Sequence, residues 1–129
     1  MLLVSVLSFS ALAALYLYLS FGAIKLRQRE KIGLGHGKNS TLGAIMRAQT
    51  NLVEYSVWFM GLLLCAELSQ ASFGLILAPA LLFVLARFWH ALAFVASDGL
   101  SSKGRVYGTM GSILSVMFLI GLNGFLLIQ

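Results

Sequence analysis

Hydrophobic positions run along this chain in long uninterrupted blocks, with polar residues gathered between the blocks and in one narrow stripe. Residues 1–24, 68–86 and 106–129 contain no charged side chain. Each block reaches the roughly 18 to 20 apolar residues that a helix needs to cross a bilayer. A fourth block, residues 55–66, is too short alone. Carried back through the polar stripe to Leu42 and forward to Leu68, it becomes a long helix with one polar face. The pattern predicts an all-α integral membrane protein, a four-helix bundle forming one domain over residues 1–129. The first helix, expected over residues 2–29, reads as retained rather than as a secretory leader. It lacks a preceding basic segment, its apolar run is too long, and its positive charges follow it.

The connections carry their own signals. The run Gly33-Leu34-Gly35-His36-Gly37-Lys38 reads as a flexible linker, with His36 solvated, and Asn39, Ser40 or Thr41 is placed to cap the second helix. The linker is not a phosphate loop, because Ile32 stands where the first Gly is required and Asn39 where Ser or Thr is. Pro79 is expected to remove one backbone bond and kink the third helix. Asp98-Gly99 turns the chain, and Ser101 or Ser102 is placed to cap a fourth helix opening with Gly104-Arg105-Val106-Tyr107-Gly108. Small residues at Gly104, Gly108 and Gly111 permit close helix approach.

Composition sharpens this picture. With 60% hydrophobic residues and a mean hydropathy of +0.94, the chain has more apolar surface than a soluble domain of 129 residues can hide. The net charge of +5 comes from clustered cations: Lys25, Arg27, Arg29, Lys31 and Lys38 in the first connection, Lys103 and Arg105 in the third. The second connection has none. Positive charge on the inner side then places loops one and three in the cytoplasm and both termini outside. No basic soluble surface exists for nucleic acid. Cys65 is the single cysteine, which excludes an intramolecular disulfide and a cysteine-cluster metal site; no metal is expected.

Candidate chemistry lies in the stripe Arg47-Ala48-Gln49-Thr50-Asn51-Leu52-Val53-Glu54-Tyr55. Charged and amide side chains are costly in a membrane helix and face a partner, a cavity or a ligand. At about 100° per residue, Arg47, Asn51 and Glu54 lie within roughly 60° of one another, with Tyr55 at the flank. A cation, an amide and an anion on one face suit a small zwitterionic ligand. Arg87, His90 and Phe94 share a face of the third helix at i, i+3 and i+7. With Arg27 and Arg105, they reach the same membrane level. A plainer account makes Lys25, Arg27 and Arg105 headgroup anchors, Glu54 a neutraliser of Arg47 or Arg87, and His90 an interfacial histidine. It explains each residue singly but not their gathering. Glu67, at the opposite end, is expected only to sit at the external interface.

Read as a motif, Arg-Ala-Gln-x-Asn-x-x-Glu-Tyr at Arg47–Tyr55 resembles the signature of MAPEG, the membrane-associated proteins of eicosanoid and glutathione metabolism. It is close to the form found in the leukotriene-synthase and glutathione-transferase branch. Arg87-x-x-His90, Leu26-Arg27 followed by Gly35-x-Gly37, and Arg105-x-x-Gly108 extend the resemblance over essentially the whole chain, toward the short bacterial members. The resemblance implies a homotrimer with glutathione, as co-substrate, at each subunit interface, in a bacterial inner membrane. Helices two and four are expected to line the contacts, with Gly104, Gly108 and Gly111 allowing the approach. By motif, Arg47, Gln49, Asn51, Glu54 and Tyr55 would hold the tripeptide, joined by Arg87, His90 and Arg27. Arg105 would be catalytic, stabilising the glutathione thiolate. The implied activity is a glutathione transferase or peroxidase acting on lipophilic electrophiles or hydroperoxides delivered by membrane lipid. Phe94 departs from the pattern, standing where many members carry Tyr. A non-catalytic lipid- or glutathione-binding member is the alternative. A small four-helix multidrug exporter is disfavoured, because residues 1–24 lack the acidic residue such exporters carry in helix one.

Overall fold

The computed structural model describes residues 2–128 as four helices: α1 (Leu3–Glu30), α2 (Ser40–Leu68), α3 (Phe73–Ala96) and α4 (Lys103–Leu126). At 1.5 Å rise per residue the shortest spans about 36 Å, more than the roughly 30 Å of hydrocarbon in a bilayer. All four are long and apolar enough to cross a membrane. Their outer surfaces carry large apolar side chains such as Phe9, Leu17, Phe21, Leu85, Leu114 and Met117. A bundle that presents such residues outward is built for lipid.

The helix ends follow from local chemistry. Asn39 caps α2 with its side-chain oxygen accepting from the Leu42 N–H at 2.8 Å, and Ser102 caps α4, accepting from the Arg105 N–H at 3.4 Å. Lys31 closes α1 in the left-handed conformation at φ 54°, while the Ile32 N–H returns to the Arg27 carbonyl at 3.0 Å. The start of α1 has no capping side chain of its own. Glu67, near the end of α2, supplies the cap instead: its carboxylate accepts from the Val4 N–H at 3.0 Å and the Ser5 N–H at 2.8 Å. An acidic group against the positive end of a helix is favourable by charge and by hydrogen bonding. Glu67 therefore has a specific structural task beyond interfacial placement.

Helix α2 packs against the other three, α3 packs against α1 and α4 as well, and α1 and α4 do not meet. The centre is apolar, with Phe59 of α2 stacked on Phe83 of α3 at 3.8 Å between ring centroids, and Leu63 and Leu119 fully buried beside them. Helix α3 runs through Pro79 as one helix.

The tightest seam lies between α3 and α4. A Cβ at Gly108 would sit 2.6 Å from His90 Cβ and 2.8 Å from the Ala86 carbonyl oxygen, and one at Gly104 would sit 2.7 Å from Ala93 Cβ. A Cβ at Gly111 would lie 3.0 Å from Ala86 Cβ. This corrects the expectation that these glycines serve contacts between protomers. They face α3 of their own chain, where the lack of a side chain lets the two backbones approach closely.

Candidate functional site

Helix α2 distributes the stripe over three directions. Arg47, Asn51 and Glu54 occupy its outward face; Arg47 and Glu54 are exposed and Asn51 is half-buried. None of the three makes a side-chain hydrogen bond or ion pair among the described residues, where the one ion pair joins Arg29 to Glu30. Neutralisation of Arg47 or Arg87 by Glu54 is thus not what the protomer contains. Glu54 lies thirteen residues before Glu67, about 20 Å along the axis. If Glu67 marks one interface, Glu54 stands well inside the hydrocarbon, where an unpaired carboxylate is costly.

To one side of that face, α1 and α2 enclose a groove of about 460 Å³ lined by Tyr16, Arg27, Gln49, Thr50 and Glu54. The Gln49 amide donates to Ser20 Oγ at 2.8 Å, which ties the two helices and orients the amide. Arg27 donates to the Ile32 carbonyl at 3.5 Å and approaches Met46 Sδ at 3.3 Å. Its guanidinium has no carboxylate partner among the described residues. A second, apolar groove of about 630 Å³ continues along the same two helices, sharing Tyr16 and Val53 with the first.

On the other side of α2, Tyr55 turns toward α3. Its ring lies 4.7 Å from Arg87 Cζ. Arg87 is only 1% exposed, and Nη2 donates to the Gly108 carbonyl of α4 at 3.0 Å. Its Nε and Nη1 have no hydrogen-bond partner among the described residues. A buried guanidinium with two unmet donors and no carboxylate nearby is an expensive arrangement unless an anion or water completes it. His90 is buried one turn on, packed against Gly108.

Arg105, half-buried at the start of α4, is held by loop three. Nη1 donates to the Gly99 carbonyl at 2.7 Å and the Leu100 carbonyl at 2.9 Å, and the guanidinium lies 3.9 Å over the Phe94 ring. The sequence pattern does not show this contact, since it depends on the turn that folds back over Phe94.

The nine candidate residues thus form two groups in one protomer. Arg27, Gln49 and Glu54 line the groove beside α1, whereas Tyr55, Arg87 and His90 gather among α2, α3 and α4, with Arg105 at the adjoining helix start. Gln49 and Tyr55 point roughly 120° apart around α2. Arg47 and Asn51 stand between the groups.

A family model described as the MAPEG family matches residues 5–125, nearly the whole chain. The chain belongs to the MAPEG family and is an integral, multi-pass membrane protein. Neither a search of curated proteins nor one of solved structures finds a match.

Proposed function

We propose that this protein is a membrane glutathione transferase or glutathione-dependent peroxidase acting on lipophilic electrophiles or hydroperoxides. One observation carries the reading: among the described residues, Arg47 and Glu54 lie unpaired on the outward face of a spanning helix, and Arg87 is buried on the other side of that helix with two unmet donor nitrogens. Opposite charges left open at that depth call for a ligand bearing both signs. Glutathione offers two carboxylates, an α-ammonium and two peptide groups, which match guanidinium, carboxylate and amide side chains in turn.

Assembly follows from the same arrangement. Two half-sites on different sides of α2 meet when a second copy brings its other half, a heterologous contact of the kind that builds a ring where the rotation closes. The homotrimer implied by the family satisfies it. Arg27, Gln49 and Glu54 of one protomer would then face Tyr55, Arg87 and His90 of the next, with Arg47 and Asn51 between them. Loops one and three, with their cations, face the cytoplasm in this reading, and both termini lie outside.

Chemistry begins with the thiol, whose ordinary pKa of about 8.5 leaves it mostly protonated at neutral pH. A guanidinium beside the sulfur favours the thiolate, and Arg105 is the residue we assign. The thiolate attacks an electrophilic carbon, forming a C–S bond while the leaving group departs with its electron pair. With a hydroperoxide, an S–O bond forms as the O–O bond breaks and the alcohol leaves after taking a proton. The sulfenic acid then condenses with a second glutathione to give disulfide and water. The apolar groove between α1 and α2, opening beside Glu54's groove, supports delivery of such substrates from the bilayer. A binding protein without turnover would keep the same site and fail only the turnover assay.

The test is calorimetric titration of glutathione into detergent-solubilised protein. Arg47→Ala and Glu54→Ala are each expected to weaken binding roughly 100-fold, since each strands its partner charge. Unchanged affinity in both folded variants would refute the assignment.

A further inference from the structure

We propose that Phe94 and the turn that follows it are a positioning device for Arg105, a cradle that leaves one edge of its guanidinium free for an anion. The inference rests on the reading of Arg105 as the thiolate-stabilising group. Phe94 is only 5% exposed and presents its ring face to the guanidinium at 3.9 Å. Gly99 has φ 81° and sends its N–H to the Phe94 carbonyl at 3.0 Å, curling the turn over the ring. A Cβ there would lie 3.4 Å from Phe94 Cε1, in a conformation that side chains rarely adopt. The turn thereby aims the Gly99 and Leu100 carbonyls at Arg105 Nη1, at 2.7 and 2.9 Å. Ser97 Oγ braces it, donating to the Leu100 carbonyl at 3.0 Å. Thr41 Oγ1, in the first turn of α2, donates to Asp98 Oδ1 at 2.7 Å and so fastens the turn to the helix that bears the stripe.

The consequence is geometric. One face of the guanidinium is covered by the Phe94 ring and one terminal nitrogen by two carbonyls. Nε and Nη2 make no hydrogen bond among the described residues. Those two atoms form the side-on fork with which arginine binds an anion through parallel donors. A long, rotamer-rich side chain ordered before the reaction contributes more to a developing charge than one that must be ordered during it. Phe94 needs no hydroxyl for this task, because the ring face alone holds the cation.

Phe94→Leu removes the ring while keeping an apolar side chain, and Phe94→Tyr retains the ring. Thr41→Val releases the turn from α2 at a solvent-facing position and guards against a folding defect in Phe94→Leu. With full-length protein in detergent, the thiolate absorbance of bound glutathione is titrated against pH, and turnover with an aryl halide is split into kcat and KM. For Phe94→Leu, kcat should fall about tenfold and the thiol pKa should rise by roughly one unit. KM for glutathione should change little. Thr41→Val should shift both in the same direction by less, and Phe94→Tyr should match wild type. A nitrogen-15 NMR signal for Arg105 Nε, shifted by the ring and lost in Phe94→Leu, reports the cradle without glutathione. If wild type forms the thiolate and Phe94→Leu leaves its pKa unchanged, the positioning role is overturned while the glutathione reading stands. If wild type forms no thiolate, the glutathione reading fails and the role of the cradle in it fails too, even where the NMR shift persists.

Discussion

Gly108→Ala is the sharpest perturbation of the seam that carries Arg87 and His90. The added Cβ would lie 2.6 Å from His90 Cβ, 2.8 Å from the Ala86 carbonyl oxygen and 3.0 Å from His90 Cα. Two of those neighbours are backbone atoms and the third is a Cβ, so no flexible side chain can yield. Carbon contacts are comfortable at about 3.5–4.0 Å, so α3 and α4 must part by roughly 1 Å. Overpacking of this kind costs about 1–3 kcal/mol. Parting the helices also stretches the Arg87 Nη2 bond to the Gly108 carbonyl from its present 3.0 Å. A bond to a charged donor is worth about 1.5–3 kcal/mol, and here its loss leaves the buried guanidinium without a hydrogen-bond partner among the described residues. Together the loss should be about 2.5–6 kcal/mol. Reversible unfolding in mixed micelles measures it, with Gly124→Ala as the control. A Cβ at Gly124 meets nothing within 4 Å, and alanine in a helix interior gains up to about 1 kcal/mol over glycine. Equal stability of the two variants would refute the claim that Gly108 sets the spacing of α3 and α4.

Two further outcomes follow from polar groups, the half-buried Glu67 and the buried Arg87. Glu67→Gln should destabilise by about 1–2 kcal/mol by replacing a charged acceptor at the start of α1. Hydrogen exchange of the Val4 and Ser5 amides should quicken, and unchanged protection would exclude the cap. Arg87→Met should leave the ligand-free protein as stable as wild type or more so, because an incompletely paired buried cation gives way to an apolar side chain. Glutathione at 100 times its Kd stabilises a binding-competent protein by about 2.7 kcal/mol. That increment should shrink in Arg87→Met, and a large loss of stability without ligand would show that Arg87 is structural.

The four helices were legible because apolar blocks of spanning length leave little choice, and Asn39 and Ser102 were among the caps that side-chain chemistry allowed. Family membership was legible from Arg47–Tyr55 together with Arg87 and His90, since polar residues at helical spacing in a membrane span are rare and specific. What stayed hidden depended on which helices meet. Gly104, Gly108 and Gly111 announce a close approach, but only the packing shows that the partner is α3. Glu67 reads as an interfacial carboxylate until α1 is placed beside the end of α2. Gln49 belongs to the motif, yet its orientation toward Ser20 separates it from Tyr55. The hold of Phe94 on Arg105 needs the turn at Asp98–Gly99 folded back, a contact that no periodicity encodes.

The central claim is that this bundle binds glutathione and activates its thiol, and the thiolate absorbance of the bound complex across pH tests it most directly. Wild-type protein in detergent should show the thiolate at neutral pH, well below the ordinary thiol range of about 8.5. Arg105→Ala should move the titration back toward that range while retaining most of the affinity, because Arg47 and Glu54 still hold the ends of the tripeptide. Arg105→Lys should recover only part of the shift, a point charge replacing a planar fork. A thiolate band that appears in wild type only near the pKa of free glutathione, or titration curves that coincide for wild type and Arg105→Ala, would contradict the account.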